Sequence, residues 1–294
     1  MFTANNPDAV SQMYATDEAW RIRQETHERY SVPPLDFASW ALDCLDWRGD
    51  EVILDVGCGP GRWYQPLLDR LPGITYFGAD LHAGMLVHHP AERALTVGDA
   101  QQLPFANHSF DVVMANHMLY HVPDVTAAIR EIRRVLKPDG LMMATTNSVH
   151  NMPELQVLLH RAVTLLVPPG TAQFQAPLPP SDLFTLETGT RVLARHFYAV
   201  ARYDLPSTLV FPNAEPVLAY LESTRATREP QLPKGVYWND VMIMVREQIN
   251  RLLEHFGELV ISKLIGVLIA TDRGGFIRDY LDNQIDLQQK IGSE

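Results

Sequence analysis

The sequence predicts an α/β protein, with a mostly parallel sheet covered by helices on both faces. Three observations predict it. Short apolar runs bounded by turn residues alternate with helical patterns between residues 51 and 147. The first of these runs, Val52 to Val56, passes through a glycine-rich turn directly into a helical pattern. A length of 294 residues with 46% hydrophobic and 20% charged residues suits one large α/β domain, or a core with a smaller cap.

The elements follow in order. Residues 8–30 carry Val10, Met13, Tyr14, Trp20 and Ile22 among many charges and read as a helix, stopped by Pro33 and Pro34. A second helix over 35–45 ends near Gly49. Strands are expected at 51–56, 74–79, 94–97, 110–116 and 141–146, with helices at 62–70, 84–89 and 125–136 between them. Leu136 to Gly140 reads as the turn into the fifth strand. The rhythm breaks after Ser148. Residues 153–167 place Leu155, Leu158, Leu159, Ala162, Leu165 and Leu166 along one helical stripe, and a proline-rich passage then runs to Pro180. This insertion is expected to form a lid, its stripe reading equally well as core or as pocket wall. Core texture resumes with a helix at 187–196, a strand from 198 towards Phe211, helices at 215–223 and 239–256, and a last strand within 259–271. The segments are therefore a helical cap (1–48), a ligand-binding core (49–148), the lid insertion (149–186), the rest of the sheet (187–272) and a polar tail (273–294).

Composition excludes several function classes. The net charge of −11 repels a phosphate backbone, and Arg133 and Arg134 share their helix with Glu131, so no nucleic acid partner is expected. The most apolar stretch, 259–270, is broken by Lys263 and is too short to span a bilayer. The first residues lack the charged start and apolar run of a secretion signal, so a cytoplasmic protein is expected. Cys44 and Cys58 lack metal-like spacing and fit a reducing compartment. The substrate is expected to be a small molecule. The apolar N-terminal helix reads either as a cap over a site or as a homodimer contact.

The informative motif is Val52-Ile-Leu-Asp-Val-Gly-Cys-Gly-Pro-Gly61. Its glycines permit a tight turn and close approach of a ligand to the backbone. The spacing is G-x-G-x-G (Gly57, Gly59, Gly61), whereas a dinucleotide turn uses G-x-G-x-x-G, and here Arg62 occupies the next position. Asp55 precedes the glycines. Its carboxylate repels a pyrophosphate but suits an ammonium or sulfonium, so a nicotinamide-linked oxidoreductase is the weaker reading. Asp80 ends the second strand where an acid can take ribose hydroxyls, and Asp99 with Ala100 offers groups suited to an adenine edge.

On these residues the chain resembles the class I S-adenosylmethionine-dependent methyltransferases, most closely the bacterial group acting on small molecules. The resemblance covers about residues 50–148, in order and spacing. It extends loosely to Thr26–Ser31, Phe37–Trp40 and Phe184–Gly189. It implies a Rossmann-like, seven-stranded sheet with the last strand reversed. It also implies S-adenosylmethionine as cofactor, with S-adenosylhomocysteine as product. By the same resemblance Asp55, Gly57, Cys58, Gly59 and Gly61 hold the methionine end and Asp80 the ribose. Leu81 flanks the adenine, Asp99 and Ala100 bind it, and Asn116 lies beside the transferred methyl. His82 departs from the pattern, since a small or aliphatic residue is expected there.

His117 and His121 follow the fourth strand, with the i, i+4 spacing of one helical face. One reading makes them catalytic: a general base titrating near neutrality, and a substrate contact. The other makes His121 an ordinary helix end. No third ligand accompanies them, so no metal is expected. Tyr14, Tyr120 and Asn147 are candidates to contact substrate, and simple packing is the alternative for both tyrosines. His88 and His89 read as a solvated helix end. Because a sulfonium methyl is already electrophilic, the acceptor atom stays open; a hydroxyl is the first expectation, with nitrogen, sulfur or carbon as alternatives. A non-catalytic cofactor-binding subunit is a further reading.

Overall fold

The computed structural model describes residues 5–91, 93–168 and 175–274. Among these, eight strands form one sheet: β1 (Ser31–Val32), β2 (Val52–Val56), β3 (Thr75–Asp80), β4 (Leu95–Val97), β5 (Phe110–Asn116), β6 (Leu136–Asn147), β7 (Ala199–Phe211) and β8 (Leu259–Thr271). Their spatial order is β1-β7-β8-β6-β5-β2-β3-β4. The strands β4 to β6 run parallel through β3, β2 and β5, and β8 is antiparallel to both its neighbours. The reversed last strand therefore stands as expected. The eighth strand corrects the count of seven: the chain leaving the N-terminal helices lies along the β7 edge, pairing Ser31 with Leu209.

The apolar run of β2 is continuous because parallel strands are covered on both faces. Ile53 and Leu54 are fully buried against opposite layers. The expected turn at 136–140 is absorbed into β6. Its register with β5 jumps from Phe110–Leu136 to Val112–Leu141, so those residues form a bulge.

The helices are α1 (Pro7–Met13), α2 (Glu18–Tyr30), α3 (Phe37–Leu42), α4 (Tyr64–Arg70), α5 (Ala83–Leu86), α6 (Val125–Val135), α7 (Pro153–Leu166), α8 (Leu186–Leu193), α9 (Glu215–Glu222), α10 (Arg225–Arg228) and α11 (Trp238–Phe256). The single helix expected at 8–30 is thus two. The Asn6 side chain accepts the Asp8 and Ala9 N–H groups and starts α1, which ends at Tyr14. The turn that follows closes on Gly84, where a Cβ would meet the Ala15 carbonyl oxygen at 2.5 Å. This break lets α1 fold over the sheet edge with Ala9, Val10 and Met13 buried.

The strands β7 and β8 are longer than their parallel neighbours. β6 pairs with β8 only from Ile265 to Thr271, whereas β7 pairs with it from Leu259 onward. The overhang carries a second core, in which α7, α9 and α11 pack with β7 and β8. This corrects the expected lid. Of the expected α7 stripe, Leu155, Leu158, Leu159 and Ala162 are buried in that core with Val163, Leu166 is partly buried against it, and Leu165 is exposed. Of the expected polar tail, residues 275–294 lie outside the described residues, as do 169–174 of the proline-rich passage.

Because Leu159 is fully buried, Leu159→Ala should cost about 2–5 kcal/mol in urea unfolding. A mobile pocket wall would leave the unfolding midpoint close to wild type.

Candidate functional site

A cavity of about 250 Å³ opens at the carboxyl ends of the parallel strands, where ligands of open α/β sheets bind. Its floor is the turn after β2 and the ends of β3, β5 and β6; residues of α1 and α2 (Val10, Trp20, Arg23, Gln24, His27) and Tyr14 between them enclose it. Among the described residues the N-terminal helices supply the cover, and none of 149–168 or 175–186 lines the cavity.

The glycine turn is fixed by hydrogen bonds to β3. The Gly57 and Cys58 N–H groups donate to the Ala79 carbonyl at 2.7 and 3.2 Å. Gly57 has φ +70°, and a Cβ there would stand 2.8 Å from Met118, so no larger residue fits. The Gly59 N–H donates to Asp80 Oδ2 at 3.0 Å, and the His82 N–H donates to Asp80 Oδ1 at 2.9 Å. Burial raises the pKa of Asp80, and these two bonds oppose the rise. Each oxygen keeps a second lone pair. Asp80, Leu81, Asp99 and Ala100 line one end of the cavity, with Cys58 and Gly59 beside them. The Asp99 carboxylate accepts the Gln101 N–H at 2.8 Å and the Gln101 side-chain amide at 3.1 Å. Burial pushes the Cys58 thiol up, which leaves it protonated.

Two expected cofactor residues do not reach the wall. Asp55 is fully buried behind the turn, and Gly61 packs outward; neither lines the cavity. A Cβ on Gly61 would meet Pro90 at 2.7 Å and the His89 ring at 3.0 Å, so this glycine serves packing. His89 is buried, not solvated as expected. Its Nδ1 accepts the Ala91 N–H at 3.0 Å, and burial lowers its pKa to about 4, so the neutral ring carries its proton on Nε2. That proton donates to the Tyr76 hydroxyl at 3.0 Å, which donates in turn to Asp55 Oδ2 at 3.2 Å. Burial raises Asp55 to about 7. Asp55 thus ties the end of β2 to β3 through Tyr76.

At the end of β5 the Asn116 side chain is buried, faces the cavity, and has no partner for either amide atom. His117 follows with φ +51°, and its N–H donates to the Thr145 carbonyl. This left-handed residue ends the strand, and Leu119–His121 form a 3-10 turn. The expected helical face shared by His117 and His121 is therefore absent, although both residues line the cavity.

Arg23 donates to the Tyr14 hydroxyl at 3.2 Å, leaving that hydroxyl to donate to His121 Nε2 at 2.9 Å. The neutral ring then carries its proton on Nδ1, which is buried without a partner. Burial, then nearby cations, lowers both His117 and His121 to about 3. This corrects the expectation of a base titrating near neutrality. Tyr120 and Asn147 also line the cavity, and burial raises Tyr120 well above the usual phenol range.

The sequence reading did not select Arg23, His27, Arg62, Gln101, Tyr220 or Lys263 as site residues, and all six line the cavity. A signal existed for two. Arg62 stood where a dinucleotide turn places glycine, and Lys263 interrupted an apolar strand. Among the described residues no group of three His, Cys, Asp or Glu could hold a metal, and no helix is long and apolar enough to cross a membrane. A small groove at the other end of β6 gathers Arg130, Arg133, Arg134 and Lys137, which amends the expectation of no basic patch. Three of them are paired, to Asp272, Glu131 and Asp111, at 2.8, 2.8 and 2.7 Å.

Residues 54–144 match the methyltransferase domain family. These residues form a methyltransferase domain that runs from β2 into β6 and covers about a third of the chain. The chain is 34% identical over 141 residues to the ubiquinone/menaquinone biosynthesis C-methyltransferase UbiE of Paracoccus denitrificans, covering 44% of this chain and 56% of that one. It is 34% identical over 147 residues to the malonyl-[acyl-carrier protein] O-methyltransferase of Legionella pneumophila, covering 47% and 52%. The match thus spans about half the length of these curated relatives. Among solved structures, an S-adenosylmethionine-dependent methyltransferase of Thermotoga maritima aligns with TM-score 0.50 at 15% identity, over 90% of this chain and all of that one. The YcgJ protein of Bacillus subtilis aligns with TM-score 0.50 at 18% identity, over 81% and 98%. Likeness at that identity shows the fold.

His117 gives a pH test. Its folded pKa, about 3, lies below its unfolded value near 6.5. Its neutral form therefore stabilises the fold above pH 6.5, and that contribution is lost as pH falls towards 3. His117→Asn tolerates the left-handed backbone. Urea midpoints measured across this window should fall less steeply for the variant, by up to about 1.4 kcal/mol per pH unit.

Proposed function

We propose that the protein transfers a methyl group from S-adenosylmethionine to a hydroxyl of a small metabolite or natural product. The observation that carries this reading is the unpartnered Asn116 amide, buried at the end of β5 and facing the same cavity as the glycine turn and Asp80. A buried amide without partners is costly unless a ligand supplies them. The residues present fit the cofactor: Asp80 has free lone pairs for ribose hydroxyls, Asp99 and Ala100 stand beyond it for the adenine, and Gly57–Gly59 admit close approach. S-adenosylmethionine, when bound, supplies a methyl on a sulfonium that is electrophilic without further activation.

The protein's own part is to hold and orient. The helical cover keeps water from the reacting atoms, and placement of an acceptor against a fixed donor supplies up to about 7–11 kcal/mol. With pKa values of about 3, His117 and His121 are neutral at pH 7. In that state His117 can accept a hydrogen bond from an acceptor hydroxyl, whereas His121 already accepts from Tyr14 on Nε2 and offers only its Nδ1 proton. The Arg23–Tyr14–His121 chain holds one of these rings in place. His117 would take the proton of an acceptor hydroxyl held in the cavity and pass it to solvent, while the bound donor would supply the methyl group. The two relatives' names, one a C-methyltransferase and one an O-methyltransferase, support methyl transfer and leave the acceptor atom to the experiment.

Calorimetry should give micromolar S-adenosylmethionine binding, no response to NAD, and about 10–100-fold weaker binding for Asp80→Ala, the equivalent of a lost charge-assisted hydrogen bond. Binding without labelled-methyl transfer to any hydroxyl, amine or thiol compound would favour a non-catalytic subunit. In an active assay, His121→Ala should lower kcat by less than about 100-fold, the lower bound for a full general base.

A further inference from the structure

The chamber beyond Asn116 has a charge that the rest of the molecule lacks. The chain carries −11 overall, yet this part of the cavity is lined by Lys263, Arg62 and Arg23. The two lining acids, Asp80 and Asp99, stand at the nucleotide end on β3 and just past β4, and both accept backbone N–H groups already.

Lys263 is the most isolated of the three cations. It lies on the overhang of β8, where β8 pairs with β7 alone, and is 5% exposed. Its ammonium makes one long hydrogen bond, 3.4 Å to Ser31 Oγ, whose own proton goes to the His27 carbonyl at 2.6 Å. Among the described residues no carboxylate acts on it; the neighbouring charge is Arg62, which repels it. Burial and that repulsion bring its pKa to about 8, so it remains charged at neutral pH. Arg62 itself has two acids near it, the mostly exposed Glu28 at 4.0 Å and the exposed Asp36. Beside them His27 Nδ1 is buried and unpartnered, and the ring stacks edge-on against Tyr220. A buried cation next to another cation and an orphaned ring nitrogen is a costly arrangement without an anion.

We propose that the acceptor molecule carries an anionic group, a carboxylate or a phosphate, that docks on Lys263 between Ser31 and His27. This rests on the reading of the cavity as a joint donor and acceptor site. The donor has a carboxylate of its own, and strand order separates the two sources. From β2, which bears the glycine turn, β8 lies three strands away, across β5 and β6, or about 14 Å at the usual strand spacing. Arg62, directly after the turn yet near enough to repel Lys263, stands between the two ends; Lys263, on β8, is placed for the acceptor. Ile265 on the same face of β8 and Asn147 beside it give the chamber a mixed apolar and polar wall behind the anion.

The test titrates the full chain, loaded with S-adenosylhomocysteine, against straight-chain and aromatic monocarboxylates and aryl phosphates. Each acid is paired with the neutral amide or alcohol of the same skeleton at constant ionic strength and pH 7. At least one acid should bind about tenfold or more tightly than its neutral partner. Lys263→Met should abolish that preference, and Lys263→Arg should retain most of it. S-adenosylhomocysteine affinity should stay within about threefold in both variants. The free Lys263→Met protein should also melt at a higher temperature than wild type, because an uncompensated buried charge is gone; a structural lysine would give the opposite shift. Three results overturn the proposal: no acid preferred over its neutral partner, a preference that survives Lys263→Met, or equal losses of acid and S-adenosylhomocysteine binding, which would assign the anion to the donor. Failure of the wild type to bind S-adenosylhomocysteine would instead sink the proposed function, and the same acid–amide comparison on the unloaded chain would still decide the anion site.

Discussion

Asp80 accepts hydrogen bonds from two backbone N–H groups that belong to different turns, Gly59 after β2 and His82 after β3. This one carboxylate ties the two strand ends that form one half of the cavity. The Ala79 carbonyl adds two more bonds to the same turn, and the buried relay from His89 through Tyr76 to Asp55 ties the end of β2 to β3. The turn is therefore fixed before any ligand arrives. A group set in this way needs little reorganisation to receive a charged ligand, and preorganisation of that kind is where an oriented transfer gains most of its rate.

The same constraint explains why two residues of the motif stand apart from the cavity. Once the turn is tied to β3 on its upper side, the alternation of side chains along β2 sends Asp55 into the layer below. Gly61 then has to pass close to Pro90 and His89 to start the chain towards α4. Their chemistry supports the turn, and the ligand-facing work falls to residues on neighbouring strands.

Electrostatics divides the cavity into two ends. Acids line it from β3 and just past β4, cations from α2, β8 and the residue after the glycine turn, and the neutral His117 and His121 lie near those cations. Each histidine is kept uncharged by burial and by the cations nearby, so the ring nitrogens serve as hydrogen-bond partners at neutral pH.

The sequence by itself determined the parallel core. Apolar runs with turn residues at their ends fix β2 to β5 nearly to the residue, and the spacing of Gly57, Gly59 and Gly61 with Asp80 and Asp99 marks the ligand edge. These are local patterns, and local patterns survive in one dimension. The tertiary structure decided what depends on distant partners. The break at Tyr14, which brings its hydroxyl to His121, arises from a turn packed on Gly84. The burial of α7 depends on α11, which follows it by about seventy residues. The left-handed backbone at His117 replaced a helical spacing that the sequence allowed. Lys263 became part of the site only because β8 overhangs β6 beyond the last pair, Asn147 with Ile265. Register between strands is set by packing across the whole sheet, and a lone lysine in an apolar strand states its own burial cost without saying which partner meets it.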